Sequence, residues 1–183
     1  MRIAIVGAGA IGGYIGARLA RAGADVVLYA RGAHLRAMQE RGLRVSSPDG
    51  DFDVRPEVAA DLGAIGKVDI VLLGVKAHSL TALAPQLHPL FGSDTVVIST
   101  QNGIPWWYFQ NHGGELDGLC LERVDPGGIV ASAIEPRRIV GSLAYFSTDV
   151  AEPGVIHHTE GTGSVSASRT ALDRSASVAW LKR

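Results

Sequence analysis

The chain opens on an apolar run, Ile3 to Val6, that passes straight into glycines and then into a helical pattern, "IAIVGAGAIGGYIGARLA". A short apolar run of this kind reads as a strand buried on both faces, as found inside a parallel sheet. From Ile11 to Ala22 the apolar residues recur at helical spacing, which leaves Arg18 and Arg21 on the outer face. Asp25 to Tyr29 predicts a second buried strand, and His34 to Glu40 a short helix. Leu43 to Val54 reads as a polar hairpin turning at "SPDG", and Val68 to Val75 as another strongly apolar strand. A helix over Leu80 to Leu90 and a strand over Thr95 to Thr100 follow. Arg138 to Phe146 and Gly154 to Thr159 predict two strands joined by the turn "AEPG". Strands alternating with helices imply an α/β fold, a doubly wound, mostly parallel sheet with right-handed crossovers.

Composition narrows this picture only a little. With 183 residues, 46% hydrophobic and 19% charged, the chain is long enough for one domain with its own core. A formal net charge of −1 offers no electrostatic reason to expect a nucleic acid or an anionic membrane as partner. Cys120 is the single cysteine, so an internal disulfide is ruled out and a reducing compartment fits. No apolar run reaches the roughly 20 residues of a membrane helix. The apolar start runs into a glycine turn rather than a cleavage-type boundary, so it is not read as a signal peptide. A cytoplasmic protein is expected.

The glycines carry the chemistry. Gly7-Ala8-Gly9-Ala10-Ile11-Gly12 is a GxGxxG with a strand before it and a helix after it. In such a Rossmann-type unit the first glycine permits the tight turn and the second lets backbone approach a pyrophosphate. The third lets helix and strand pack closely. The helix N-terminus then offers free N–H groups to the phosphates. A dinucleotide is therefore the expected ligand. Sites for NAD usually carry Asp or Glu at the end of the second strand, to hold the ribose 2′-hydroxyl. Here that strand ends Tyr29-Ala30-Arg31, with no carboxylate. A guanidinium can pair with a 2′-phosphate in a bidentate fork and gains little from a bare hydroxyl, so NADP is expected over NAD.

Four further stretches extend the pattern: "VLLGVKAH" with Lys76, "STQNGIP" with Asn102, "RRIVGSLAYFSTDV" and "AEPGVIHHTEG". Both Lys76 and Asn102 follow strand ends, where ligands bind in open α/β sheets. With the N-terminal fingerprint, these stretches resemble the ketopantoate reductases (2-dehydropantoate 2-reductases), NADPH-dependent enzymes of pantothenate synthesis. The resemblance covers residues 1 to about 161 and implies reduction of the small 2-keto acid ketopantoate to pantoate. It implies that Gly7, Ala8, Gly9, Ala10, Ile11 and Gly12 bind the pyrophosphate and Arg31 the 2′-phosphate. Lys76 would add positive charge beside the cofactor. Asn102 would lie by the nicotinamide ribose and position the substrate. The backbone of Tyr145 to Ser147 would line the nicotinamide.

Other residues point elsewhere. "PWWYF", Pro105 to Phe109, predicts a helix packed on the sheet, because no basic residues interleave with it as in a base-stacking platform. His112, His157 and His158 lack carboxylate or cysteine partners at metal spacing, so no metal site is expected.

The family carries a second, helical domain that supplies a catalytic lysine as general acid, and this sequence is expected to lack it. "AWLKR", with Trp180 and Lys182, resembles the family's Trp-x-Lys, but the family places that motif farther past the "EG" turn. The expected division is a dinucleotide-binding domain over residues 1–162 and an atypical tail over 163–183, rich in Ser, Ala and Arg. One choice of codons for the tail, shifted by two bases, restores the family's "LGEPDG", so the tail is read as a frameshift product. Two other functions stand beside the leading one: a non-catalytic NADP-binding module, and a related reductase of another 2-keto acid. A homodimer is allowed by the sheet-end surface left without its second domain.

Overall fold

A computed structural model describes residues 1–111 and 113–161 in full, and the backbone of residues 166–169. The first strand, β1 (Arg2–Val6), runs through the glycine turn into helix α1 (Ala10–Arg21) and returns as β2 (Asp25–Tyr29). Helix α2 (Gly32–Arg41) follows, then β3 (Leu43–Ser46), β4 (Phe52–Val54) and β5 (Glu57–Ala59). Helix α3 (Leu62–Ile65) leads to β6 (Val68–Leu73), and α4 (Ala77–Leu83) to β7 (Phe91–Ser99). After α5 (Ile129–Ala133) come β8 (Ile139–Leu143), β9 (Ser147–Glu152), β10 (Val155–Glu160) and β11 (Ser166–Arg169).

The main sheet has the order β11-β8-β7-β6-β1-β2-β5. All pairings from β8 to β5 are parallel, and β11 joins the β8 edge antiparallel. The six parallel strands thus follow the doubly wound order 3-2-1-4-5-6 of a dinucleotide-binding fold. The expected α/β Rossmann-type sheet is what forms.

Strand alternation divides the core in two. Ala4 and Val6 face one side with Val71, Leu73 and Val97, against α3, α4, α5 and the buried Trp106. Ile3 and Ile5 face the other side with Leu28, Ile70, Leu72 and Ile98, against α1. A second, four-stranded sheet, β4-β3-β10-β9, covers the far face of α1 through Leu43, Val45 and Ile156. Helix α1 is therefore packed between two sheets, which is why Gly13 and Gly16 stand in it. A Cβ on Gly16 would lie 2.5 Å from Leu28 Cδ2, and one on Gly13 3.1 Å from Ile156 Cδ1.

Several local expectations need correction. The "AEPG" turn joins β9 to β10, not the Arg138–Phe146 strand to Gly154–Thr159. β9 is an extra strand, and β8 belongs to the other sheet. The helix expected over Leu80 to Leu90 is α4 followed by a 3₁₀ segment, Ala84–Leu90, because Pro85 and Pro89 remove amide donors. "PWWYF" forms turns rather than a helix; only Trp106 is buried, and Tyr108 is exposed. The three-residue strand β5 carries too short a pattern to be read. Of the tail expected over 163–183 only the backbone of β11 is described; the boundary at residue 162, Trp180 and Lys182 lie outside the described residues, as does His112. No described helix is long and apolar enough to cross a membrane.

Candidate functional site

The register of the sheet brings the expected site residues to one edge. Val6 pairs with Tyr29 on one side and Leu73 on the other, and Leu73 pairs with Ser99. The C-terminal ends of β1, β2, β6 and β7 are therefore level. The loops that leave them carry the glycines, Arg31, Lys76 and Asn102. Strand order reverses between β1 and β6, the switch point where open α/β sheets bind ligands.

The three motif glycines differ in what surrounds them. Gly7 has a φ of 96°, and a Cβ there would lie 2.4 Å from Val75 Cγ1 and 2.9 Å from Val75 N. A Cβ on Gly12 would lie 2.2 Å from the Gly7 carbonyl oxygen. Both positions are closed to any side chain by the fold itself. Gly9 is the opposite case. Its backbone is extended, at a φ of −78°, and its Cβ would meet no atom within 4 Å. Neither packing nor conformation asks for glycine there, and the space beside it is open.

The loop is anchored from beneath, since the amides of Gly7 and Ala8 both donate to the Tyr29 carbonyl, at 3.2 and 3.0 Å. No side chain caps the N-terminus of α1, and its first turn holds no acidic residue. Ala10 and Ile11 are half-buried in that turn, while Ala8 is buried. A twelve-residue helix thus presents its N–H groups and positive dipole end at the open space beside Gly9.

Gly74, which the sequence reading passed over, completes the packing. Its amide donates to the Val6 carbonyl at 2.9 Å, and a Cβ on it would lie 2.6 Å from the Gly7 carbonyl oxygen. The signal was present in the sequence as a glycine ending an apolar strand.

Three polar side chains flank the opening. Arg31 is the N-cap residue of α2 and is exposed. Lys76 holds the same position on α4, also exposed. Asn102 is exposed in the loop after β7, and Gly103 beside it has a φ of 90°, so the Asn-Gly pair does make a turn. Among the described residues none of these three side chains has a hydrogen bond or ion pair. The loops beneath them are tied together: Thr100 Oγ1 donates to the Leu73 carbonyl at 2.9 Å and Gln101 Nε2 to the Val75 carbonyl at 3.3 Å.

His34, also missed, lies against the glycine loop from the first turn of α2. Its Nδ1 accepts the Gly154 amide at 3.0 Å. Burial lowers the imidazole pKa below its ordinary value, and the facing Ala8 carbonyl, which favours a protonated ring, offsets part of the fall. Nothing in the sequence spacing marks this contact, because its partners are distant in the chain.

Other polar residues are consumed by structure. Asp125 is fully buried and accepts the amides of Val130 and Ala131 at 2.8 and 2.9 Å, which fixes the start of α5. His158 is buried, stacked on Tyr14 at 4.6 Å, and held by Ser47 Oγ at 2.9 Å. His157 lies 3.4 Å from Asp149 on the exposed hairpin. Among the described residues no cluster of His, Cys, Asp or Glu could hold a metal ion.

The comparisons bear on the family and the fold. Residues 3–171 match the family model described as "Ketopantoate reductase PanE/ApbA". A 2-dehydropantoate 2-reductase of Mesorhizobium japonicum is 49% identical over 163 residues, 88% of this chain and 50% of its own length. The crystal structure of 2-dehydropantoate 2-reductase from Geobacter metallireducens superposes with a TM-score of 0.74 at 30% identity, over 92% of this chain and 49% of that one. A D-mandelate dehydrogenase solved with NADH shares the fold, with a TM-score of 0.73 at 22% identity, over 93% of this chain and 49% of its own. The chain spans about half the length of the relatives it matches. On the family match, and on a sheet whose order and glycine turn agree with it, this chain belongs to the ketopantoate reductase PanE/ApbA family of oxidoreductases.

Proposed function

We propose that this chain forms the dinucleotide-binding part of an NADPH-dependent 2-dehydropantoate 2-reductase, which reduces ketopantoate to pantoate in pantothenate synthesis. The observation that carries the reading is Gly9: a glycine that the fold does not need, beside open space at an uncapped helix N-terminus. A pyrophosphate supplies the reason for it.

NADPH, when bound, supplies a hydride for a ketone carbon. The chain's own residues bind and orient. Gly7 and Gly12 set the loop, and Gly9, Ala10 and Ile11 turn their amides toward the pyrophosphate. Arg31, exposed and without a partner among the described residues, takes the 2′-phosphate. Lys76 adds positive charge beside the cofactor. Asn102, whose amide both donates and accepts, positions the nicotinamide ribose and the substrate carbonyl. The proton for the new hydroxyl comes from a lysine outside the described residues, in the part of the relatives' length that this chain does not match. A homodimer, a cytoplasmic location and a frameshifted tail belong to the same proposal.

The test is the effect of Arg31→Ala on two cofactors. NADPH binding should weaken by about 1–3 kcal/mol, the range for a charge-assisted contact, and NADH binding should hardly change. Equal losses for both, measured by calorimetry, would remove Arg31 from the 2′-phosphate site and leave a NAD-type reading in its place.

A further inference from the structure

His158 is a buried polar side chain whose contacts converge on one short segment of the site. It stands on β10 and is 2% exposed. Its Nε2 lies 2.7 Å from the Gly161 carbonyl oxygen and 3.1 Å from that of Glu160. A carbonyl can only accept, so Nε2 carries a proton and donates it. Across the ring, Nδ1 meets Ser47 Oγ at 2.9 Å, and that hydroxyl also accepts the Asp49 amide at 3.2 Å. The "SPDG" turn thus holds one end of the imidazole, and the chain leaving β10 holds the other. The ring face stacks on Tyr14 of α1, with centroids 4.6 Å apart and planes 21° from parallel.

What the Nε2–H fixes is a support. A Cβ on Gly161 would run into the Tyr145 carbonyl oxygen and lie 2.8 Å from Phe146 Cα. The Gly161 backbone therefore rests directly on the Tyr145–Phe146 peptide. The Phe146 ring also packs on Tyr14, at 4.8 Å between centroids. His158, Gly161 and Tyr14 together set the course of residues 144–146, which carry the chain from β8 in the main sheet to β9 in the second. Phe146 is half-buried there, while Tyr145 is 59% exposed.

The place of this segment gives it a ligand. β8 pairs parallel with β7, Gly141 opposite Ser99, so residues 144–146 leave the same edge as the glycine loop and Asn102. Tyr14, which Phe146 touches, lies about 7.5 Å along the helix from Gly9. A dinucleotide in this fold lies across the switch point, with one nucleotide on each half of the sheet. With the 2′-phosphate at Arg31, beyond β2, the adenosine half takes the β1–β2 side. The nicotinamide half then takes the ends of β6, β7 and β8, which the Tyr145–Phe146 backbone borders.

We propose that His158 is a positioning residue for the nicotinamide half of the dinucleotide: its Nε2–H fixes the Gly161 carbonyl, and Gly161 holds the Tyr145–Phe146 backbone at the open edge. The proposal rests on the reading of that edge as a dinucleotide site.

Three substitutions test it. His158→Phe keeps a ring on Tyr14 and removes the donor. His158→Gln returns a donor near the ε position. Gly161→Ala displaces the Tyr145–Phe146 backbone and leaves His158 in place. Each variant of the full chain is melted, then titrated by calorimetry with NADPH, with NADH and with 2′-phospho-ADP-ribose, which is NADP without its nicotinamide. His158→Phe should bind NADPH and NADH about tenfold more weakly, the scale of one hydrogen bond, and the fragment as tightly as the wild type does. His158→Gln should recover most of that loss, and Gly161→Ala should reproduce it. A loss confined to ligands that carry nicotinamide separates this role from that of Arg31, which concerns the 2′-phosphate. It also separates the role from a general loosening of the fold, which would weaken all three ligands. Equal losses for NADPH and the fragment would overturn the proposal, as would no loss at all or a Gln variant no better than Phe. If His158→Phe does not fold, Gly161→Ala decides by the same comparison. A wild-type chain that binds the fragment as tightly as NADPH would overturn this proposal and leave the dinucleotide reading standing. One that binds neither would overturn both.

Discussion

The two ends of the main sheet treat their charges in opposite ways. At the N-terminal end, the Arg2 amide donates to Asp69 at 2.7 Å, and its guanidinium lies 2.7 Å from Glu57 and 3.5 Å from Asp25. Nearby, Arg138 donates to the carbonyls of Gly92 and Thr95 at 2.8 and 3.2 Å and pairs with Glu135 at 3.3 Å. Charge there is spent on joining strands. At the C-terminal end, Arg31, Lys76 and Asn102 have no side-chain partner among the described residues, and the helix behind Gly9 has no cap. Groups left unpaired around an open space are groups available to a ligand. The contrast also separates glycines: Gly7, Gly12 and Gly74 are required by packing, Gly9 is not.

The largest effect should come from adding bulk at the C-terminal end. Gly9→Val should abolish dinucleotide binding while leaving the melting temperature near wild type, because the side chain enters the pyrophosphate's space and nothing else. Gly12→Ala should instead cost stability, on the order of 1–3 kcal/mol or more, because its Cβ meets the Gly7 carbonyl. Calorimetry and thermal melting on both variants sharpen the contrast; a Gly9→Val protein that retains NADPH would erase it.

Turnover comes next in size. If, as proposed, the proton comes from a lysine in the part of the relatives that this chain does not match, ketopantoate reduction by the 183-residue chain should run about 10²- to 10⁴-fold below that of a version extended in the shifted frame. Comparable rates would place proton transfer within these 183 residues.

How much of this was visible in the sequence follows from the same physics. β1, the glycine turn, α1 and β2 were legible because a strand buried on both faces is written as an unbroken apolar run. The "SPDG" hairpin of β3 and β4 was legible from its turn. β9 was not, since Ser147–Glu152 is a largely exposed edge strand with little apolar pattern. "PWWYF" misled because its one buried anchor, Trp106, needs no helix. At the site, Gly7, Gly9, Gly12, Arg31, Lys76 and Asn102 could be named from strand ends. His34 could not, because what sets its ring is an amide 120 positions away.

Two smaller effects test the tied-off groups. Burial depresses the His34 pKa, so the neutral ring is favoured in the fold. Its contribution to stability is complete above the ordinary imidazole value of about 6.5, and is lost as pH falls through the lower folded value. Melting temperatures across that range should show this acid-side loss in the wild type and less of it in His34→Asn. At the other end of the sheet, Glu57→Ala removes an exposed ion pair with Arg2 and should cost about 0–1 kcal/mol with no change in cofactor affinity.

The most direct measurement maps ligand contact over both ends at once, by following backbone amide resonances as NADPH is added. The shifts should concentrate at residues 7–12, 31, 76 and 102, while Arg2, Asp25, Asp69 and Gly92 stay in place. Shifts centred on the N-terminal end, or none at saturating NADPH, would contradict the assignment of the open edge as the dinucleotide site.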